Sequence, residues 1–90
     1  MTGSGRVGPP ASHILETDVD GDISLYDPKT ESVTVLNGTA SDVWLLCDGE
    51  HTVSEIIHLL ALSYEIDESE IVADVERAIR DFTEAGLLEE

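Results

Sequence analysis

Cys47, His51, Glu55 and His58 have side chains that suit a zinc ion, since thiolates, imidazoles and carboxylates are its usual protein ligands. Zinc sites usually pair their ligands at short spacings such as C-x-x-C or H-x-x-x-H. Here Cys47 belongs to an apolar helical stripe, and a predicted helix boundary separates it from His51. We therefore expect an inert buried cysteine, two surface histidines, and no specific metal or other cofactor.

The acidic segment 18–22, DVDGD, looks at first like a calcium loop. An EF-hand loop places glycine at position 6 and a bidentate glutamate at position 12. Counted from Asp18, glycine falls at position 4 and position 12 is Lys29. The spacing is wrong for calcium and favours a solvated hairpin turn.

Catalytic groups are not recognisable either. A serine or cysteine nucleophile needs an adjacent base and an orienting group, and the three histidines form no such motif. No glycine-rich phosphate loop follows a predicted strand. An acidic carrier protein would need an Asp-Ser-Leu attachment site at a helix start, but the nearest match, Ile23-Ser24-Leu25, lies in a predicted strand. We expect no enzyme activity, and a carrier protein is a weaker alternative.

Net charge is the strongest constraint from composition, with 20 acidic and 4 basic residues giving −16 in 90 residues. Such a chain repels nucleic acid, whose affinity for proteins depends on Lys and Arg, and it repels anionic membranes. The charge favours basic partners or simply solubility. There is no apolar run of about 18 residues and no secretory signal pattern, so a cytoplasmic location is the default expectation. The single cysteine excludes an intramolecular disulfide.

Three short strands are predicted ahead of any helix. The composition of residues 1–12, rich in Gly, Ser and Pro, predicts a disordered tail, and residues 13–90 form one domain. The strands are HILETDV (13–19), ISLYD (23–27) and SVTVL (32–36), separated by Asp-Gly-Asp and Asp-Pro turn signals. Their short connections predict an antiparallel meander.

Three amphipathic helices follow the strands. Asn37 or Thr39 can cap the first helix, and Thr52 with Glu55 forms a capping box for the second. Asp67 or Ser69 begins the third helix, and Gly86 is placed to end it, with Leu87 and Leu88 packing back onto the core. The predicted apolar faces are Ala40, Val43, Trp44 and Cys47; Ile56, Leu59, Leu60 and part of Ser63-Tyr64; and Ile71, Val75, Ala78, Ile79 and Phe82.

The predicted fold class is therefore α+β, a three-stranded antiparallel meander followed by three helices, with a winged-helix-like outline. A DNA-reading helix needs basic or amide side chains, whereas the third helix offers only Arg77 and Arg80 among acidic neighbours. A winged-helix-like regulatory or protein-interaction module remains an alternative to the function suggested below. An outer strand of the meander presents unpaired backbone groups, which can accept an extended peptide.

The order of elements between residues 32 and 57 resembles the PqqD family. The features that carry this resemblance are the Leu36-Asn37 strand end, the first helix with Trp44, Cys47-Asp48-Gly49, the Thr52-to-Ile56 pattern TVSEI, and Gly86-Leu87-Leu88. The similarity covers about residues 13–90. PqqD-like domains are peptide chaperones, also called RiPP recognition elements, which hold the leader of a ribosomally made precursor peptide for a modifying enzyme in natural-product biosynthesis.

The resemblance implies a peptide-binding site and no chemistry of the domain's own. In that family the leader docks as an additional strand on the third strand, beside the third helix. Carried over, the peptide-binding positions are Val33, Thr34, Val35 and Leu36 on the strand and Asp74, Arg77, Ala78 and Asp81 on the helix. The implied partners are a leader peptide and a modifying enzyme of a lasso-peptide, sactipeptide or pyrroloquinoline-quinone pathway. Periodicity does not decide which flank of the third helix faces the peptide-binding groove between this helix and the third strand.

Overall fold

The computed structural model describes residues 6–20 and 22–89 of the chain. Its elements, in chain order, are β1 (Arg6–Val7), β2 (Leu15–Val19), β3 (Asp22–Asp27), β4 (Ser32–Leu36), α1 (Gly38–Leu46), β5 (His51–Thr52), α2 (Val53–Tyr64), a 3₁₀ helix (Glu68–Glu70) and α3 (Val72–Glu84). The predicted α+β class is confirmed. None of the helices in the described ranges is both long and apolar enough to cross a lipid bilayer.

A three-stranded antiparallel sheet in the order β2-β3-β4 forms one layer, which confirms the predicted meander. The predicted third strand corresponds to β4, with the same bounds. Alternation along the strands turns Ile23, Leu25 and Leu36 toward the helices, where all three are buried. Asp18 and Asp22 of the acidic segment lie at the end of the β2–β3 hairpin, as expected, with Val19 opposite Asp22.

The helix ends follow from local side-chain chemistry. Asn37 caps α1, and its Oδ1 accepts the Ala40 N–H at 2.8 Å. The capping box of α2 is complete, since Thr52 accepts the Glu55 N–H and Glu55 accepts the Thr52 N–H. Gly86, after α3, has φ of +74°, the left-handed conformation that glycine adopts without a steric penalty. These local interactions define where α1 and α2 begin and where α3 ends.

The core lies between the inner face of the sheet and the three helices. Trp44 of α1 is buried and meets Phe82 of α3 edge to face, with ring centroids 5.2 Å apart. The Trp44 indole N–H donates to Glu16 Oε1 at 2.9 Å, which joins α1 to β2. Leu87 and Leu88 are buried as predicted. The aromatic contact joins α1 to α3 in the centre of the core.

The prediction of a disordered tail over residues 1–12 is wrong for residues 6–12, and residues 1–5 lie outside the described part of the chain. β1 pairs with β5 in an antiparallel arrangement, and Val7 is buried. The Ala11 N–H donates to the Leu87 carbonyl at 2.8 Å. The segment lacks side-chain periodicity, but backbone pairing with distant residues does not require it. Residues 6–12 therefore pair with β5, between α1 and α2, and with the C-terminal segment after α3.

Two smaller predictions about the helices also need correction. Leu59 was assigned to the apolar face of α2, but it is exposed, and Ile57 is buried in its place. The buried stripe of α2 is rotated toward Ile57 and Ala61 because α2 packs against both α1 and α3. Neither Asp67 nor Ser69 caps α3 directly. A 3₁₀ helix intervenes, and α3 begins at Val72 without a side-chain cap.

Gly8→Ala is expected to destabilise the domain, because Gly8 has φ of +92° and an added Cβ would lie 2.2 Å from the Cys47 carbonyl oxygen. The backbone must move, and the pairing of β1 with β5 weakens with it. Urea denaturation should show a loss of about 1–3 kcal/mol. Gly38→Ala is the matched control, since nothing lies within 4 Å of a Cβ added there. Equal midpoints for both variants would show that residues 6–12 contribute nothing to stability.

Candidate functional site

β4 is an outer strand of the sheet, and in the described part of the chain no strand pairs with its far side. Its sequence SVTVL carries no charge. β2, the other outer strand, reads LETDV and presents Glu16 and Asp18, and charges on an outer strand discourage pairing with another chain. The free edge of β4 is therefore the edge better suited to accept an additional strand.

The register of the sheet indicates which backbone groups of β4 face outward. Val19 and Asp22 flank the two-residue connection from β2 to β3. Residues flanking such a hairpin loop form a hydrogen-bonded pair, and hydrogen-bonded and non-bonded pairs then alternate along an antiparallel ladder. Asp22 therefore directs its backbone groups toward β2, and its neighbour Ile23 directs its own toward β4.

The same alternation extends to β4. Leu36 is opposite Ile23, so Leu36 and, two residues earlier, Thr34 bond to β3. We infer that Val33 and Val35 direct their N–H and C=O groups to the free edge. These are the groups that an incoming peptide strand would meet.

A hollow of about 310 Å³ lies between β4 and α3, next to the free edge. Thr34, Val35 and Leu36 line it from the strand, and Ala78 and Asp81 line it from the helix. The remaining lining residues are Asn37, Ala40, Phe82, Ala85 and Leu87. Alanine side chains leave space between the two elements, so the hollow can receive a peptide side chain.

A second hollow of about 230 Å³ continues along α3 and shares Ala78 and Asp81 with the first. Asp74 and Arg77 line it from the helix. In residues 6–20 and 22–89, no hydrogen bond or ion pair joins Asp74, Arg77 or Asp81 side chains to another residue. Two carboxylates and one guanidinium are thus available to a ligand that lies along this flank.

Seven of the eight residues suggested by the family resemblance line these two adjacent hollows. The exception is Val33, whose side chain, like that of Val35, is exposed on the outer face of the sheet. On this flank of α3, Ala78 and Asp81 share a hollow with β4, whereas Asp74 and Arg77 lie beside the start of α1. The role of these eight residues in peptide binding remains a prediction.

Sequence reasoning missed the start of α1, where the cap residue Asn37 and the helix residues Thr39 and Ala40 line the second hollow. A signal was present, since Asn37-Gly38 directly follows β4, so the start of α1 must lie beside the end of that strand. The buried Ser41 hydroxyl donates to the Leu36 carbonyl at 3.3 Å and holds the two together.

The zinc candidates are not assembled into one site. His51 Nδ1 lies 3.0 Å from Asp48 Oδ1, and this hydrogen bond raises the pKa of His51. His58 Nδ1 lies 2.8 Å from Glu68 Oε2. Among residues 6–20 and 22–89, no group of three or more His, Cys, Asp or Glu side chains is arranged to hold a metal ion.

Cys47 is expected to resist alkylation in the folded protein. Its side chain is fully buried, and burial together with the Asp48 carboxylate raises the pKa of Cys47 to about 12. Since the thiolate is the reactive form, iodoacetamide at pH 8 should leave the native protein unmodified and label it after unfolding in guanidinium. Mass spectrometry distinguishes the two states. Stoichiometric labelling of the folded protein would contradict the burial of this thiol.

Comparison with known proteins supplies independent findings. The family model described as "Coenzyme PQQ synthesis protein D (PqqD)" matches residues 23–88. Among solved structures, TbiB1 in complex with the TbiA(beta) leader peptide has a similar fold, with a TM-score of 0.78 and 20% sequence identity. The match covers 89% of this chain and 93% of TbiB1.

Proteins named "PqqA binding protein" from strains of Rhodopseudomonas palustris are also similar in sequence. Those of strains HaA2 and BisB5 are 40% and 38% identical to this chain over 60 residues, which is 67% of its length. The match spans 59% of the length of each relative. Residues 23–88 contain nearly all of β3 and the whole of β4, α1, α2 and α3. The chain therefore belongs to the PqqD family.

Proposed function

We propose that this chain binds the leader segment of a ribosomally made precursor peptide as an additional strand on β4 and holds it for a modifying enzyme. The observation that carries the proposal is the uncharged free edge of β4 directly beside the hollow against α3. Backbone groups of Val33 and Val35 would bond to the peptide, and alternate peptide side chains would enter the hollow.

The charged flank of α3 suggests which leader would bind. Asp74 and Asp81 would receive basic side chains, and Arg77 would receive an acidic one. Charge pairs of this kind at the rim of a groove select among partners and speed association more than they add affinity. The overall charge of −16 also favours a leader with an excess of Lys and Arg.

The names of related proteins support the same proposal. The Rhodopseudomonas relatives are named for binding PqqA, and TbiB1 was solved with a leader peptide. A binding role without catalysis agrees with these names, and the location that we propose for it is the cytoplasm. Holding the leader beside the enzyme would raise the effective concentration of the precursor and make its modification nearly intramolecular.

The test is fluorescence anisotropy with a labelled synthetic leader, taken from the precursor peptide encoded beside the gene for this chain. We expect a Kd below about 100 μM, which corresponds to about −5.5 kcal/mol. Amide chemical-shift changes should map to β4 and to the Asp74–Asp81 flank of α3. A peptide with the same residues in scrambled order is the control for unspecific attraction to an acidic protein. Equal binding of the scrambled peptide, or shift changes elsewhere, would refute the proposal and favour a different protein-interaction role.

A further inference from the structure

The outer face of the sheet, turned away from the helices, carries a row of exposed apolar side chains. Leu15, Tyr26 and Val33 lie opposite one another across β2, β3 and β4. Their exposed fractions are 57%, 37% and 62%, and Val35 in the next row is 65% exposed. We call Leu15, Tyr26, Val33 and Val35 the outer sheet face.

This arrangement is unusual for a solvated antiparallel sheet, whose outward positions are normally polar. The chain contains 27% charged residues, yet the row formed by Leu15, Tyr26 and Val33 has no charge, and Val35 lies opposite Ser24 and beyond it Thr17. Single exposed apolar residues need no explanation, whereas a contiguous patch with a polar surround marks an interaction surface.

Electrostatic repulsion argues against a second copy of the chain as the occupant of this face. Two molecules each carrying −16 repel one another. At one end of the sheet the β2–β3 hairpin carries Asp20 and Asp22, whereas Lys29 and Glu31 balance each other at the β3–β4 hairpin. A complementary partner is a different protein whose apolar patch has Lys or Arg at the side that meets Asp20 and Asp22.

The outer sheet face is continuous with the proposed leader site because Val33 and Val35 belong to β4. A peptide strand added to β4 would extend the three-residue row by a fourth side chain, since alternate residues of that strand point to the outer face. A partner on this face would then contact this chain and the leader together.

We propose that the outer sheet face is the docking surface for the peptide-modifying enzyme, and that bound leader enlarges this surface and tightens enzyme binding. The second half of this proposal rests on the proposed function. Binding is reciprocal, so enzyme must raise the affinity for leader by the same factor by which leader raises the affinity for enzyme.

The experiment measures binding of this chain to the purified modifying enzyme encoded beside its gene, with and without saturating leader, by biolayer interferometry. The variant is Leu15→Thr with Tyr26→Thr, because both residues lie on strands away from the free edge of β4. We expect enzyme affinity to fall at least tenfold and leader affinity, measured alone, to stay within twofold of wild type. Saturating leader should raise the wild-type affinity for enzyme about fivefold or more.

Leu62→Thr is the matched control, since Leu62 on α2 is 63% exposed, at least as much as Leu15 or Tyr26, but lies on a different surface. We expect it to bind enzyme as wild type does. Loss of enzyme binding in Leu62→Thr and not in the double variant would place the docking surface on α2 and overturn the proposal. Unchanged enzyme binding by the double variant, or dimerisation of wild type that the double variant abolishes, would also overturn it.

Failure of the leader proposal would be visible separately. If wild type does not bind leader at all, the proposed function fails, and so does the leader-dependent half of this inference. Enzyme binding without leader still decides whether the outer sheet face is a docking surface. If leader binds but leaves enzyme affinity unchanged, the leader-dependent half is refuted while the proposed function stands.

Discussion

Val35→Pro is expected to lower the affinity for the leader about 100-fold or more while the domain stays folded. The register of the sheet directs the Val35 N–H to the free edge of β4, so proline removes a donor that the peptide needs and not one that β3 uses. A peptide carbonyl left without its partner costs about 1–3 kcal/mol, and the proline ring adds a steric obstacle at the edge. Anisotropy with the labelled leader measures the change.

Two further substitutions make this prediction specific. Val35→Thr keeps the N–H and the branched shape, so its affinity for leader should fall less than about fivefold, which is 1 kcal/mol. Thr34→Pro removes a donor in the β3–β4 ladder and should lower the stability of the sheet itself, visible by circular dichroism. Full leader binding by a folded Val35→Pro protein would exclude strand addition at β4. Loss of binding in Thr34→Pro with an intact fold would show that the alternation of backbone groups is opposite to the one inferred.

Trp44→Ala is expected to cost about 3–5 kcal/mol of stability, the largest loss we expect from a single side chain. Trp44 is 2% exposed and packs edge to face on Phe82, so truncation leaves a cavity between α1 and α3. A domain this small lies near the lower end of the usual range of about 5–15 kcal/mol, so the variant should be close to unfolded at room temperature. Loss of the bond to Glu16 adds little, because that carboxylate is exposed and water replaces the indole.

The control for this prediction is the neighbouring residue on the same helix. Leu45 is 58% exposed, so Leu45→Ala should change stability by less than about 0.5 kcal/mol. Urea denaturation followed by circular dichroism compares the two variants with wild type, and it does not depend on the tryptophan signal. Similar midpoints for Trp44→Ala and Leu45→Ala would show that Trp44 is not a core residue.

The amino-acid sequence by itself determined the parts of this protein that depend on local chemistry. The Asp-Gly and Asp-Pro turns separate three strands, and the Thr52–Glu55 capping box begins α2. Gly86 ends the last helix, and helical spacing identified Trp44 as a core residue. Each of these features involves residues within about one or two turns of each other, so its physical cause can be read from neighbouring positions.

The family resemblance added what local chemistry does not contain, namely the pairing of the third strand with the third helix as one binding surface. The structure brings Val35 and Leu36 together with Ala78 and Asp81, although more than forty residues separate them in sequence. No pattern of periodicity could supply this, because amphipathicity identifies the buried face of α3 but not which of its two flanks lies toward the sheet.

Only the tertiary structure decided three points that bear on function. Trp44 packs against Phe82 between α1 and α3, and the same arrangement places Ala78 and Asp81 beside β4 and Asp74 and Arg77 beside the start of α1. Residues 6–12 are ordered because they pair with residues 51–52 and 87–89, partners that lie far away along the chain. Leu59 is exposed because α2 must pack against two helices at once, which rotates its buried stripe. In each case the deciding contact joins residues distant in sequence, so it is set by how whole elements pack and not by the residues' neighbours.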